Sequence, residues 1–163
     1  MSKTSKIKTL KDISRIREVL RKQGKTVVFT NGCFDIIHRG HIESLRKAKS
    51  FGDVLMVGLN SDSSVRKIKG KKRPIVSQKD RAEILASLEM VDYVSIFKET
   101  TPFKMISGLV PDVLVKGGDY TRENIVGNHI VLSRGGKVKT VRQVRGRSTK
   151  NIIQRIVNRY GKA

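Results

Sequence analysis

The sequence predicts an α/β fold: a Rossmann-like, doubly wound, mostly parallel sheet of five strands. Three observations lead there. Short β-branched runs alternate with stretches of helical apolar spacing along the chain. Glycines follow several of the strand-like runs, at Gly32, Gly117 and Gly118. No internal repeat, long linker or low-complexity stretch interrupts the alternation. Alternating strands and helices imply a parallel sheet covered on both faces.

The elements follow in order. Leu10, Ile13, Ile16, Val19 and Leu20 have helical spacing over 9–23. Thr9 with Asp12 resembles a capping box, and Gly24 is a natural stop. Residues 26–30 form a strand-like run. Ile42, Leu45 and Ala48 return to helical spacing over 41–51, and 54–59 is a second strand. Ser77 opens a helix expected to turn Ile84, Leu85 and Leu88 inward. Residues 93–97 are strand-like. Thr101 then reads as an N-cap with Pro102 at the first helical position. Residues 113–116 and 138–144 supply the fourth and fifth strands. A last amphipathic helix over 148–160 carries Ile152, Ile153, Ile156, Val157 and Tyr160 on one side.

A chain of 163 residues with 37% hydrophobic content suits one domain, 1–163, with 1–8 expected to be a disordered basic tail. No apolar run approaches the roughly 20 residues that span a bilayer. The basic start lacks a signal-peptide core, so a cytoplasmic protein is expected. A single cysteine, Cys33, excludes an intrachain disulfide and any multi-thiolate zinc site, and is expected to be a buried neutral thiol. Lys and Arg number 35 against 14 acids, a net charge of +21. Such a surface attracts polyanions, either nucleic acid or phosphorylated small molecules. The charge is spread along the whole chain, and only eight aromatics (three Tyr, five Phe) offer stacking surfaces, which argues against a nucleic-acid-binding module.

Ligands of doubly wound sheets bind beyond the carboxyl ends of the strands. Three loops therefore matter: 31–40, 116–120 and 145–149. The first reads Thr30-Asn31-Gly32-Cys33-Phe34-Asp35-Ile36-Ile37-His38-Arg39-Gly40-His41. Gly32 and Gly40 leave room for close approach of a ligand. His41 falls where a helix begins, and free N–H groups there favour anions. Two imidazoles beside that helix start can both donate to phosphate oxygens. A metal pair and ordinary loop histidines are the alternatives, though no third metal ligand is evident. In the loop 145–149, Ser148 or Thr149 is a good N-cap. Arg147 opposes the helix dipole unless an anion binds beside it. Lys116 at the end of an apolar strand is poorly suited to the core, and Asp119 either binds a hydroxyl or caps the next segment.

The His38-Arg39-Gly40-His41 sequence resembles the HxGH motif of the nucleotidyltransferase superfamily. The longer run from Phe29 to His41 resembles the family of adenylyltransferases that convert D-glycero-β-D-manno-heptose 1-phosphate to ADP-heptose. Further matches come in order: Val57 to Asp62, Lys69-Gly70 with Arg73-Pro74, Asp80-Arg81, Leu88 to Asp92, Val115 to Tyr120, and Arg147-Ser148-Thr149. The similarity covers about residues 10–158, and six ordered motifs are far more specific than any one.

The resemblance implies a sheet of nucleotidyltransferase type and a reaction between ATP and a sugar 1-phosphate, with Mg²⁺ as cofactor. It implies His38, His41, Lys69 and Arg147 as catalytic residues. Nucleotide binding would fall to Thr30, Asn31, Gly32, Phe34, His38, Gly40, His41, Arg147, Ser148 and Thr149. Asp35, Asn60, Asp62, Lys69, Lys116, Gly117, Gly118 and Asp119 would bind the second substrate. No protein-held metal site is expected. Expected partners are the small-molecule substrates, a homodimer mate, and a separate sugar kinase and phosphatase upstream in the pathway, with no membrane. A cytidylyltransferase acting on glycerol 3-phosphate or another phospho-alcohol is the competing enzyme reading. It shares the Phe-Asp-x-x-His-x-Gly-His run.

Overall fold

The computed structural model describes residues 6–118, 124–142 and 144–161. The described elements run α1 (Leu10–Lys22), β1 (Val27–Gly32), α2 (Arg39–Lys49), β2 (Val54–Asn60), α3 (Asp62–Lys69), α4 (Gln78–Ala86), β3 (Tyr93–Phe97), α5 (Phe103–Leu109), β4 (Val113–Gly117), α6 (Asn128–Ser133), β5 (Lys137–Val141) and α7 (Thr149–Tyr160). The five strands pair in the order β3-β2-β1-β4-β5, and every pairing is parallel. The chain leaves β1 in one direction to β2 and β3, then returns to lay β4 on the other side of β1. The topological switch point therefore lies between β1 and β4.

Alternation along the central strands builds two cores. Val28, Leu55, Val57, Leu59 and Val115 face one side, against Leu45 and Ala48 of α2 and Leu85 of α4. Val27, Phe29, Met56 and Leu114 face the other, against Ile13 of α1 and Met105 and Ile106 of α5. Successive side chains on a strand point to opposite faces, so strands buried on both sides read as continuous apolar runs. Gly58 marks a tight point: a Cβ there would lie 2.7 Å from the Phe29 ring.

One expected detail holds and several change. Thr9 caps α1 through its hydroxyl, which accepts from the Asp12 backbone N–H and donates to the Asp12 carboxylate. Residues 6–8, expected to belong to a disordered tail, are tied down. Ile7 bridges to Val94, and Lys6 donates to the Leu88 and Val91 carbonyls. Pro102, not Thr101, is the cap residue of α5. The fifth strand ends at Val141, three residues early. Ile84 turns outward, because the inner face of α4 is taken by Arg81, Ala82, Leu85 and Ala86. The reason is Arg81 itself, a fully buried arginine whose partners fix the rotation of the helix. The apolar side of α7 is half covered: Ile156, Val157 and Tyr160 are exposed.

Candidate active site

At the carboxyl ends of β1 and β4 the structure holds a cavity of about 780 Å³. This is the switch point, where ligands of such sheets bind. The loop after β1 forms one wall. Phe34 adopts a left-handed backbone with φ 45°, an uncommon state for a bulky residue. It places the Phe34 ring inward, where it meets His41 at 5.2 Å between centroids. His38 stacks on His41 with centroids 3.8 Å apart and rings inclined by 22°. Gly40 makes room for this arrangement, since a Cβ there would lie 3.0 Å from the His38 ring.

Both imidazoles are depressed in basicity. Burial pushes His41 down to about 4, with the charge of His38 adding to the effect, and burial lowers His38 as well. Both rings are therefore neutral at pH 7, and each keeps one N–H to donate. The Nδ1 atoms of both are buried without a partner among the described residues. Unpartnered buried polar atoms are rare and costly, and a bound ligand or an ordered water is one way to satisfy them.

Two helices begin here. His38 is the N-cap residue of α2 but makes no side-chain cap bond. Ser148 caps α7 through the Asn151 N–H at 3.1 Å. The two starts approach closely: a Cβ on Gly40 would lie 3.3 Å from the Arg147 carbonyl oxygen. Helix N-termini and cations together favour an anion. Lys69, Arg73, Lys116, Arg147 and Lys150 line the same cavity. Burial pushes the Lys116 ammonium down, the Cys33 thiol opposes this and Lys69 adds to it. Burial raises the Cys33 thiol, against the nearby Lys69, Arg81 and Arg73 charges, so it stays neutral.

The structure brings most of the residues singled out in the sequence to this cavity: Thr30, Asn31, Gly32, Phe34, Asp35, His38, Gly40, His41, Asn60, Lys69, Lys116, Gly117, Arg147, Ser148 and Thr149. Asp62 and Gly118 do not line it, and Asp119 lies outside the described residues. Two of the expected substrate carboxylates are engaged elsewhere. Asp35 has a fully buried side chain that pairs with Arg73. It also accepts from the Ile75 and Val76 N–H groups at 2.8 and 2.9 Å. Burial alone would raise its pKa, but those backbone donors and Arg73 outweigh it and hold the carboxyl below the usual range. Asp62 pairs with Arg81 at 2.7 Å. Asn60 is 3% exposed, and its side-chain amide donates to Ser64.

Arg81, quoted from the sequence only as part of the Asp80-Arg81 match, has a role that the sequence did not assign. Its guanidinium donates to the Val76, Cys33 and Asn60 carbonyls as well as to Asp62. It thereby ties together the loop after β1, the end of β2 and the segment before α4. Thr100 to Pro102 and Asn124 to Val126 also line the cavity. No spacing or charge pattern pointed to either group.

Among the described residues no group of three or more His, Cys, Asp and Glu could hold a metal ion. Asp35, a carboxylate that lines the cavity, is already used by Arg73 and two backbone N–H groups. Nor is any helix long and apolar enough to cross a membrane, among the described residues.

A cavity at the switch point of a parallel sheet, with paired histidines between two helix starts, suits a phosphate-bearing ligand such as a nucleotide. Residues 29–156 match the cytidylyltransferase-like family model, and the chain belongs to that family. It is 55% identical over 157 residues to the bifunctional protein HldE of Geobacter metallireducens and 54% identical over 156 residues to that of Syntrophotalea carbinolica. Each alignment covers 96% of this chain and 32% of the relative, so the chain spans about a third of the length of those proteins. Among solved structures, a lipopolysaccharide core biosynthesis protein from Thermoplasma volcanium matches with TM-score 0.61 and 30% identity. That match covers 74% of this chain and 98% of that one. Pantoate-β-alanine ligase from Francisella tularensis shares the fold, with TM-score 0.66 at 18% identity over 94% of this chain and 76% of that one.

Proposed function

We propose that this chain transfers AMP from ATP to D-glycero-β-D-manno-heptose 1-phosphate, giving ADP-heptose and pyrophosphate. The observation that carries the chemistry is the stacked His38–His41 pair, neutral and with unpartnered buried nitrogens, between the starts of α2 and α7. The choice of sugar rests on the ordered motifs of the sequence and on the HldE relatives.

A phosphate oxygen of the sugar 1-phosphate attacks the α-phosphorus of ATP, and the bond to the β-phosphate oxygen breaks. The nucleophile is already an anion at neutral pH, so no general base is needed. Catalysis then rests on alignment and on stabilising charge as it develops. Each neutral imidazole donates one N–H, His41 to the α-phosphate and His38 toward the departing pyrophosphate. Arg147 and the first N–H groups of α7 hold the β- and γ-phosphates. Lys69 and Lys116 receive the phosphate of the second substrate. With no carboxylate cage among the described residues, the site would take Mg²⁺ with the nucleotide, where the ion would offset phosphate charge.

A cytidylyltransferase acting on glycerol 3-phosphate shares these motifs, and the family name alone favours it. Pyrophosphate release with each nucleotide and acceptor pair separates the two. The proposal expects turnover with ATP and the heptose 1-phosphate, and little with CTP and glycerol 3-phosphate. The reverse preference would replace it.

A further inference from the structure

The opposite end of the sheet holds a second cavity that the proposed reaction does not use. It has a volume of about 950 Å³ and opens at the amino ends of β1, β4 and β5, beside Thr26, Asp112 and Lys137. The six residues of β1 separate it from the histidine pair, roughly 16 Å at about 3.3 Å per residue.

Five cations line it: Arg17, Arg21, Arg134, Lys137 and Lys139. Only two acids do, Glu18 and Asp112. Both acids are occupied. Glu18 pairs with Arg21 at 2.6 Å. Asp112 pairs with Arg17 at 2.8 Å and accepts from the Val27 N–H at 2.7 Å. Arg134, Lys137 and Lys139 form no ion pair among the described residues, which leaves three positive charges in excess.

Ordinary causes account for part of this. Arg21 in the last turn of α1 and Arg134 at the end of α6 suit helix C-termini. Lys137 protects an exposed sheet edge, since β5 is an outer strand. Neither cause explains Arg17. Its side chain is 6% exposed, and while Nε and Nη2 reach the Val110 carbonyl and Asp112, Nη1 is buried with no partner among the described residues. Leu109, Val110, Pro111 and Phe51 add an apolar wall.

We propose that this groove is a second ligand site, distinct from the nucleotidyl-transfer centre, for a phosphorylated small molecule. The phosphate sits against Arg17, Arg134, Lys137 and Lys139, and the organic part lies on the Phe51–Pro111 wall. Lys137 and Lys139 are two apart on one strand and so share a face, which lets both reach one phosphate. The volume matches small-molecule sites, at about 300–1,000 Å³.

Amide NMR with inorganic pyrophosphate as the probe tests this site by site. In the wild-type chain two groups of amides shift: Gly32 to His41 at one end of the sheet, and Asp112 with Gly135 to Lys137 at the other. The triple variant Arg134→Gln/Lys137→Gln/Lys139→Gln removes only exposed or half-exposed charges. It keeps its kcat and its first group of shifts, while binding at the second weakens about tenfold or more, the effect of losing charge-assisted bonds. Wild-type spectra with no shift at Gly135 to Lys137 would overturn the proposal. So would an unchanged second group in the triple variant, which means an adventitious ion only. Loss of the first group alone would count against the nucleotidyl-transfer reading and leave this site standing.

Discussion

The histidine pair and the aspartate–arginine pairs lie at the same end of the sheet, yet their polar atoms fare differently. His38 and His41 keep buried nitrogens without partners. Asp35 and Asp62 have their oxygens taken by Arg73, Arg81 and backbone N–H groups. Unspent hydrogen-bonding capacity is what a ligand-facing group would keep, and spent capacity suits groups that hold the loops in place. The carboxylates were expected from the sequence to bind substrate. The structure gives them to the scaffold, with Arg81 joining three chain segments behind the site.

That division can be broken from the scaffold side first. Arg81→Ala leaves Asp62 and the Val76, Cys33 and Asn60 carbonyls without their donor in a buried site. Removing one partner of a buried ion pair costs about 3–5 kcal/mol. Chemical denaturation should show that loss, and Arg81→Lys should recover only part of it, because one ammonium cannot reach all four acceptors. A change below about 1 kcal/mol would mean the network is not what holds the loops.

The histidine side has its own signature in pH. His41 titrates at about 4 in the folded chain against 6.5 unfolded. Its stabilising contribution is complete above pH 6.5, where both states are neutral. As pH falls from 6.5 toward 4 the unfolded chain binds the proton and the folded chain does not, so stability drops by on the order of 2–3 kcal/mol. His41→Gln should flatten the profile in that window, measured by denaturation without ligand. Pyrophosphate should shift the fall to lower pH if it binds neutral imidazoles, and to higher pH if it recruits the charged form. Identical profiles for wild type and variant would remove His41 from the account.

A smaller effect separates capping from ligand contact at α7. Ser148→Ala removes the bond to the Asn151 N–H and should cost about 1 kcal/mol of stability. Ser148→Thr should restore the cap. If Ser148 also touches phosphate, the KM for ATP rises with alanine and returns with threonine, whereas a cap alone moves only stability.

Much of the fold was legible because strands buried on both faces, such as Val54–Asn60, carry no polar interruptions. Glycine-bearing loops after β1 and β4 then located the cavity. Two helices were not legible. The stretch Asp62–Lys69 buries only Ser64 and Val65, too few positions to show a helical period. The six residues of Asn128–Ser133 are too short to show a period. Arg81 was hidden for a different reason: a buried arginine is rare, and nothing in its local sequence announces the four acceptors that come from distant segments. The partners of Asp35 and Asp62 were hidden similarly, since a sequence names a carboxylate but not its partner.

The central claim is that the His38–His41 pair serves the phosphates of ATP in the transition state rather than supporting the fold. Steady-state turnover of His41→Ala with ATP and heptose 1-phosphate tests it most directly. Loss of an oxyanion-type donor predicts a kcat lower by ~10²–10³-fold, with the amide spectrum of the fold preserved. Near-normal kcat in a folded variant would contradict the claim.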